Sequence, residues 1–185
     1  MAFGVFTSSF TRRSVTHIHF TALQKPLGFL SPETFPLKNL HARLRDISRE
    51  LHDGHGFKVV RGVPVDKYSR EENVIVYVGL SSHIAPVRGR QDRSFDGKPA
   101  DLVLNHIKDL SGLESSKGRV GAPSYTRDKQ VFHTDEGDIV SLFALSAAAS
   151  GGESKLASSW RVYNELAEKR PDLIRTLAGD WPHDG

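Results

Sequence analysis

The residues best suited to chemistry are the histidine and the acid within Phe132-His133-Thr134-Asp135. In an extended strand, side chains at positions i and i+2 project from the same face. His133 and Asp135 would therefore present an imidazole nitrogen and a carboxylate oxygen to one point. These are two of the three ligands of the two-histidine-one-carboxylate triad, which leaves coordination positions open on iron(II). Oxygen and a reductant could then bind the same metal.

Composition and charge exclude several other kinds of site. The 185 residues contain no cysteine, which rules out disulfides, thiolate zinc sites, iron–sulfur clusters and cysteine nucleophiles. Neither a G-x-S-x-G hydrolase element nor a Gly-Lys-Ser phosphate loop occurs. The net charge of +3 is spread along the chain, so no nucleic-acid partner is predicted. The longest weakly polar stretch, 139–149, is about half of a membrane span, so no membrane partner is predicted either.

Helical and extended patterns alternate in the first half of the chain. Apolar residues at steps of three or four predict a helix from Leu37 to Leu51. A strand is predicted at 57–61, followed by a second helix from Ser69, its N-cap, to about Leu80. Residues 85–99 have no apolar period and are predicted to form a loop, and 101–107 a strand.

Short strands surround the candidate ligands in the second half, at 130–135, 139–147 and 154–157. Helices are predicted at 160–170 and 171–178. Together these elements predict an α+β protein with an N-terminal α/β lead-in and the opening of a jelly roll. Because 52 residues follow His133, the C-terminal half of such a barrel is expected to be missing. The aromatic rings expected in the core are Phe57, Phe132 and Phe143.

The first 32 residues differ from the rest in charge. They contain no acidic residue but carry Arg12, Arg13 and Lys25 and eight Ser or Thr, as mitochondrial transit peptides do. An ordinary first strand around His17 is the competing interpretation. We therefore predict a targeting or flexible extension at 1–32 and one domain at 33–185, in a cytoplasmic protein or, if the segment is a targeting signal, a mitochondrial one.

The stretch from Phe132 to Ala178 carries a family resemblance. Its HTD element, the Gly151-Gly152-Glu153-Ser154 element and the following helices resemble the taurine dioxygenase (TauD/TfdA) family, in particular its fungal branch. The resemblance implies a double-stranded β-helix of the clavaminate synthase-like kind. It also implies an oxidoreductase, an iron(II)- and 2-oxoglutarate-dependent dioxygenase that uses O2 to hydroxylate or oxidatively cleave a small organic substrate.

The resemblance also assigns roles to residues. His133 and Asp135 match the first two iron ligands, and the Ser154 hydroxyl matches the group that contacts a 2-oxoglutarate carboxylate. The distal histidine of the family and the arginine that binds 2-oxoglutarate match no residue of this sequence. His183 follows a tryptophan-proline turn, and the arginines at 161, 170 and 175 are interpreted as surface pairs.

Two functional hypotheses follow from this half-complete motif. The first is the dioxygenase just described, incomplete in this sequence. The second is a catalytically inactive, shortened paralogue that acts as a binding or interaction protein, with self-association through open sheet edges. Among the other histidines, His52 and His55 are interpreted as helix-end residues, and His83 and His106 as core or surface residues.

Overall fold

The computed structural model describes residues 26–90, 92–95, 98–112, 125–135 and 137–181. The chain is divided into two compact units. We call Met1–Asp128 with Asp135–Leu145 the helical unit, and Lys129–Thr134 with Ser146–Gly185 the C-terminal unit. The described elements, in chain order, are α1 His41–Asp53, α2 Arg70–Ile84, β1 Asp92–Phe95, β2 Lys98–Leu102, α3 Ser159–Lys169 and α4 Pro171–Leu177, with short 3₁₀ turns at Leu27–Phe29 and Val65–Lys67.

The predicted jelly roll, the double-stranded β-helix of the α+β prediction, is wrong for the described part of the chain. Its sheet there is one antiparallel hairpin, in which Asp92 pairs with Leu102 and Phe95 with Lys98. The hairpin lies partly where a loop was predicted. The segments at 130–135, 139–147 and 154–157, which were expected to be strands, are instead irregular where they are described. Alternating apolar residues favour an extended backbone, but a strand also needs a neighbour that pairs its N–H and C=O groups.

The strand predicted at 57–61 is also wrong, because no neighbouring strand pairs with this segment in the described structure. The segment is irregular, and Phe57, Val59 and Val60 are 44%, 46% and 39% exposed. Phe132, also expected in the core, is 71% exposed. Apolar character at these positions therefore predicted neither a paired strand nor a buried side chain correctly.

Helix α1 confirms the prediction from apolar spacing. Leu44 and Ile47, three residues apart, are buried, and Leu51 one turn later is half-buried. Steps of three and four place these side chains on one face of the helix. The helix stops at Gly54, whose N–H donates to the carbonyl of Glu50.

Helix α2 confirms the second helical prediction and its N-cap. The Ser69 hydroxyl accepts from the Glu72 N–H, and the Glu72 carboxylate accepts from the Ser69 N–H, which forms a capping box. Burial of Ile75, Val76 and Val78 then fixes the helix against the rest of its unit.

The main hydrophobic core of the helical unit is built around Phe35. This fully buried ring packs with Leu30, Ile75 and Val78. Gly79 allows the close approach, because a Cβ atom at that position would lie 2.5 Å from the Phe35 ring. The core thus depends on one large residue before α1 and one small residue within α2.

Polar contacts join the two helices at the C-terminal end of α2. The buried His83 ring contacts the Phe35 carbonyl through Nε2 at 2.8 Å and His41 Nδ1 through Nδ1 at 2.8 Å. Arg45 donates to the Ile84 carbonyl at 2.9 Å. Its positive charge interacts favourably there with the negative, C-terminal end of the α2 dipole. His83 is therefore a core residue, as one of its two interpretations had it.

Helices α3 and α4 confirm both C-terminal helical predictions. The Ser158 hydroxyl caps α3 by accepting from the Arg161 N–H, and Pro171 opens α4. None of the described residues from 146 to 181 is buried. Across all the described ranges, no helix has both the length and the apolar character needed to cross a membrane.

The proposed extension at 1–32 stays a prediction, as does the domain at 33–185. Residues 1–25 of the extension, including the Arg12-Arg13 pair and His17, lie outside the described residues. Within the proposed extension, Leu30 is 3% exposed and packs in the core around Phe35.

Candidate metal centre

His133 lies in an exposed, irregular segment of the C-terminal unit. Its Nδ1 atom is 2.7 Å from the Val131 carbonyl oxygen. A carbonyl only accepts, so Nδ1 must carry the proton, and in the neutral ring Nε2 then carries the lone pair. A backbone carbonyl on the second ring nitrogen is the usual arrangement for a metal-binding histidine, because it fixes the tautomer and the orientation of the ring.

Asp135 is also exposed, and it begins the segment Asp135–Leu145 of the helical unit. The two candidate ligands therefore belong to different units, and the convergence of their side chains stays a prediction. Glu136 lies outside the described residues. Gly137 has φ +97°, a left-handed conformation that side chains disfavour, so the backbone turns shortly after Asp135.

Ser154, the residue predicted to contact 2-oxoglutarate, is exposed and lies in the C-terminal unit with His133. It follows Gly151 and Gly152, whose φ values of 70° and 76° both lie in the left-handed region. Two successive residues of this kind require glycine. The turn before Ser154 thus explains the glycine pair, while the role of the hydroxyl remains a prediction.

The donor set fits part of an iron site. An imidazole nitrogen and a carboxylate oxygen suit iron(II), and they fill two of the three positions of a facial triad. Within the described ranges, no group of three or more His, Cys, Asp or Glu side chains could hold a metal ion. His183 lies outside those ranges, and His106 is exposed.

Arg161 and Arg170, two of the three C-terminal arginines interpreted in this way, form surface pairs as predicted. Arg161 lies 3.4 Å from Glu165, and Arg170 contacts both carboxylate oxygens of Asp172 at 2.9 and 2.7 Å. The Arg170 guanidinium lowers the pKa of Asp172 below its usual range, and the hydrogen bonds to Asp172 raise the pKa of Arg170. These charges stabilise their own helices.

One contact to the segment that follows Asp135 was missed by the sequence interpretation. The Tyr77 hydroxyl on α2 donates to the Ser141 carbonyl at 2.6 Å. Its ring stacks on Phe143 with centroids 5.0 Å apart and planes at 8°. Both partners lie in the segment that begins at Asp135. No motif signals such a pairing, because it joins a helix to an irregular segment far along the chain.

A family comparison identifies the class of protein. The sequence profile of the "Taurine catabolism dioxygenase TauD, TfdA family" matches residues 22–181, which is most of the chain. The chain therefore belongs to the TauD/TfdA family, and the resemblance seen in the sequence is confirmed.

Two curated relatives extend this comparison. "Taurine hydroxylase-like protein SAT17" of Stachybotrys chartarum is 42% identical over 165 residues, which cover 85% of this chain and 40% of the relative. "FR-33289 synthase" of Streptomyces rubellomurinus is 26% identical over 149 residues, or 78% of this chain and 40% of the relative. The chain thus spans about 40% of the length of each. No solved structure matches it.

Proposed function

We propose that this chain forms part of an iron(II)- and 2-oxoglutarate-dependent dioxygenase. Family membership across residues 22–181 is the observation that carries the proposal. The donor types at positions 133 and 135, and the contact between His133 and a backbone carbonyl, support it further. The expected reaction is hydroxylation or oxidative cleavage of a small organic substrate, with O2 and 2-oxoglutarate as cosubstrates.

His133 and Asp135 are the residues that would hold the metal. The neutral imidazole would bind through Nε2, because the Val131 carbonyl keeps the proton on Nδ1. The Asp135 carboxylate would partly neutralise the charge of the metal. Iron(II) held there would supply the chemistry by which O2 oxidises 2-oxoglutarate to succinate and carbon dioxide.

Ser154 would orient the cosubstrate. Its hydroxyl can donate a hydrogen bond to a carboxylate oxygen of 2-oxoglutarate, and a charge-assisted bond of this kind is stronger than a neutral one. The Gly151-Gly152 turn would present that hydroxyl, since these two left-handed positions set the direction of the chain just before it.

A second function, an interaction protein without turnover, is favoured by the exposed apolar side chains of the C-terminal unit. Leu156, Trp160 and Trp181 are 72%, 75% and 55% exposed. Large exposed apolar patches commonly mark protein–protein contacts. If the chain self-associates, its apparent mass in analytical ultracentrifugation should increase with protein concentration.

Succinate formation distinguishes the two functions. Full-length protein containing this chain, given iron(II), O2 and 2-oxoglutarate, should form succinate, and His133→Ala should abolish it. His106→Ala is the matched control, because it removes an exposed histidine outside the proposed site. Equal succinate formation by wild type and His133→Ala would contradict the assignment of His133 as a ligand. If neither protein formed succinate, the interaction protein would be favoured.

A further inference from the structure

We propose that Tyr77 is a positioning residue, which fastens the segment after Asp135 to α2 and thereby limits the orientations of the Asp135 carboxylate. The inference rests on the proposed function, since it takes Asp135 as a metal ligand. It concerns contacts within the helical unit, to which Tyr77 and the segment Asp135–Leu145 both belong.

The contact is made through two different parts of one side chain. The Tyr77 hydroxyl donates to the Ser141 carbonyl at 2.6 Å, which is a short and well-formed hydrogen bond. The ring stacks on Phe143 at 5.0 Å and 8°, within the range of favourable aromatic pairs. The segment is therefore held at its backbone and at a side chain two residues further on.

Tyr77 can act as an anchor because its helix is itself fixed. Its neighbours Val76 and Val78 are 0% and 1% exposed, and the Asn73 side chain donates to the Val65 carbonyl at 3.0 Å. The capping box at Ser69 secures the first turn of the same helix. A contact to Tyr77 is thus a contact to a helix held in place by buried neighbours and a capping box.

The segment that Tyr77 holds has little regular structure of its own. It forms no strand among the described residues, and Val140 and Leu142 are 53% and 67% exposed. Ser141 lies six residues after Asp135. Fixing that point shortens the stretch over which the backbone beside the carboxylate can rearrange, so less conformational entropy is lost when the carboxylate binds a metal.

Tyr77→Phe tests the proposal, because it deletes the hydroxyl but keeps the ring that stacks on Phe143. Mn(II) serves as a redox-stable probe for iron(II), and its affinity is measured together with amide hydrogen exchange of residues 137–145. We expect faster exchange in that segment. Mn(II) affinity should weaken by about three- to tenfold, which is the effect expected when one hydrogen bond is lost. Tyr163→Phe, at a 49% exposed tyrosine of α3, is the matched control and should change neither quantity.

A double-mutant cycle with Asp135→Asn separates positioning from a general structural role. If Tyr77 acts through Asp135, Tyr77→Phe should weaken Mn(II) binding in the wild-type background and have no further effect in Asp135→Asn. An equal effect in both backgrounds, or none in either, would overturn the proposal. If Asp135→Asn leaves Mn(II) affinity unchanged, the proposed function fails instead, whatever happens to hydrogen exchange.

Discussion

The two helix pairs of this chain differ in what stabilises them. Helix α2 packs in the core around the fully buried Phe35, α1 buries Leu44 and Ile47, and polar contacts of Arg45 and His83 link the two helices. Helix α3 has a side-chain cap, α4 begins with Pro171, and both carry surface ion pairs, but neither contains a buried residue. Local signals are thus enough to specify where a helix forms, whereas resistance to unfolding requires side chains that are removed from water.

The largest expected effect distinguishes a buried phenylalanine from an exposed one. Phe35→Ala removes a fully buried ring and should lower the free energy of unfolding by about 3–5 kcal/mol. Phe132→Ala, at a ring that is 71% exposed, should change it by less than about 0.5 kcal/mol. Denaturant titration monitored by circular dichroism measures both. Equal losses would show that the two regions do not differ as described.

An intermediate effect is expected when the same cap is removed from a helix in each region. Ser69→Ala deletes the cap of α2 and should lower the free energy of unfolding by about 1 kcal/mol, since that helix carries the core. Ser158→Ala deletes the cap of α3 and should speed hydrogen exchange only in the first turn of α3. A global loss of similar size in Ser158→Ala would mean that α3 also supports the cooperative core.

The smallest effect is a local dependence on pH in α4. Arg170 lowers the pKa of Asp172, so the ionised carboxylate stabilises the helix above the ordinary carboxyl range. That contribution is lost as the pH falls through the lowered value, below about pH 4. In Arg170→Gln, a carboxyl titration by NMR should show a higher pKa for Asp172. Arg175→Gln, in the same helix, should leave it near the wild-type value.

The helices could be predicted from the sequence because their determinants are local. Leu44 and Ile47 repeat at the helical period, Ser69 has Glu72 at the capping-box spacing, and Pro171 favours a first turn. Contacts such as Phe35 with Gly79, or Tyr77 with Ser141, join distant parts of the chain. Spacing along the sequence contains no information about such pairs.

Strands were predicted at 130–135, 139–147 and 154–157, where the described structure has irregular segments. The strand geometry expected for His133 and Asp135 required a neighbouring strand that 130–135 does not have in the described structure. The choice of residues rested on that geometry together with their donor chemistry and the family resemblance. The donor chemistry and the resemblance do not require a strand, so metal binding by these two residues can still be tested directly.

Mn(II) binding followed by NMR tests the central claim, that His133 and Asp135 bind one metal ion. Paramagnetic broadening of amide signals should be centred on residues 133–135. His133→Ala and Asp135→Asn should each weaken the affinity by about tenfold or more, because each removes a ligand. Broadening centred elsewhere, or an unchanged affinity in both variants, would contradict the account.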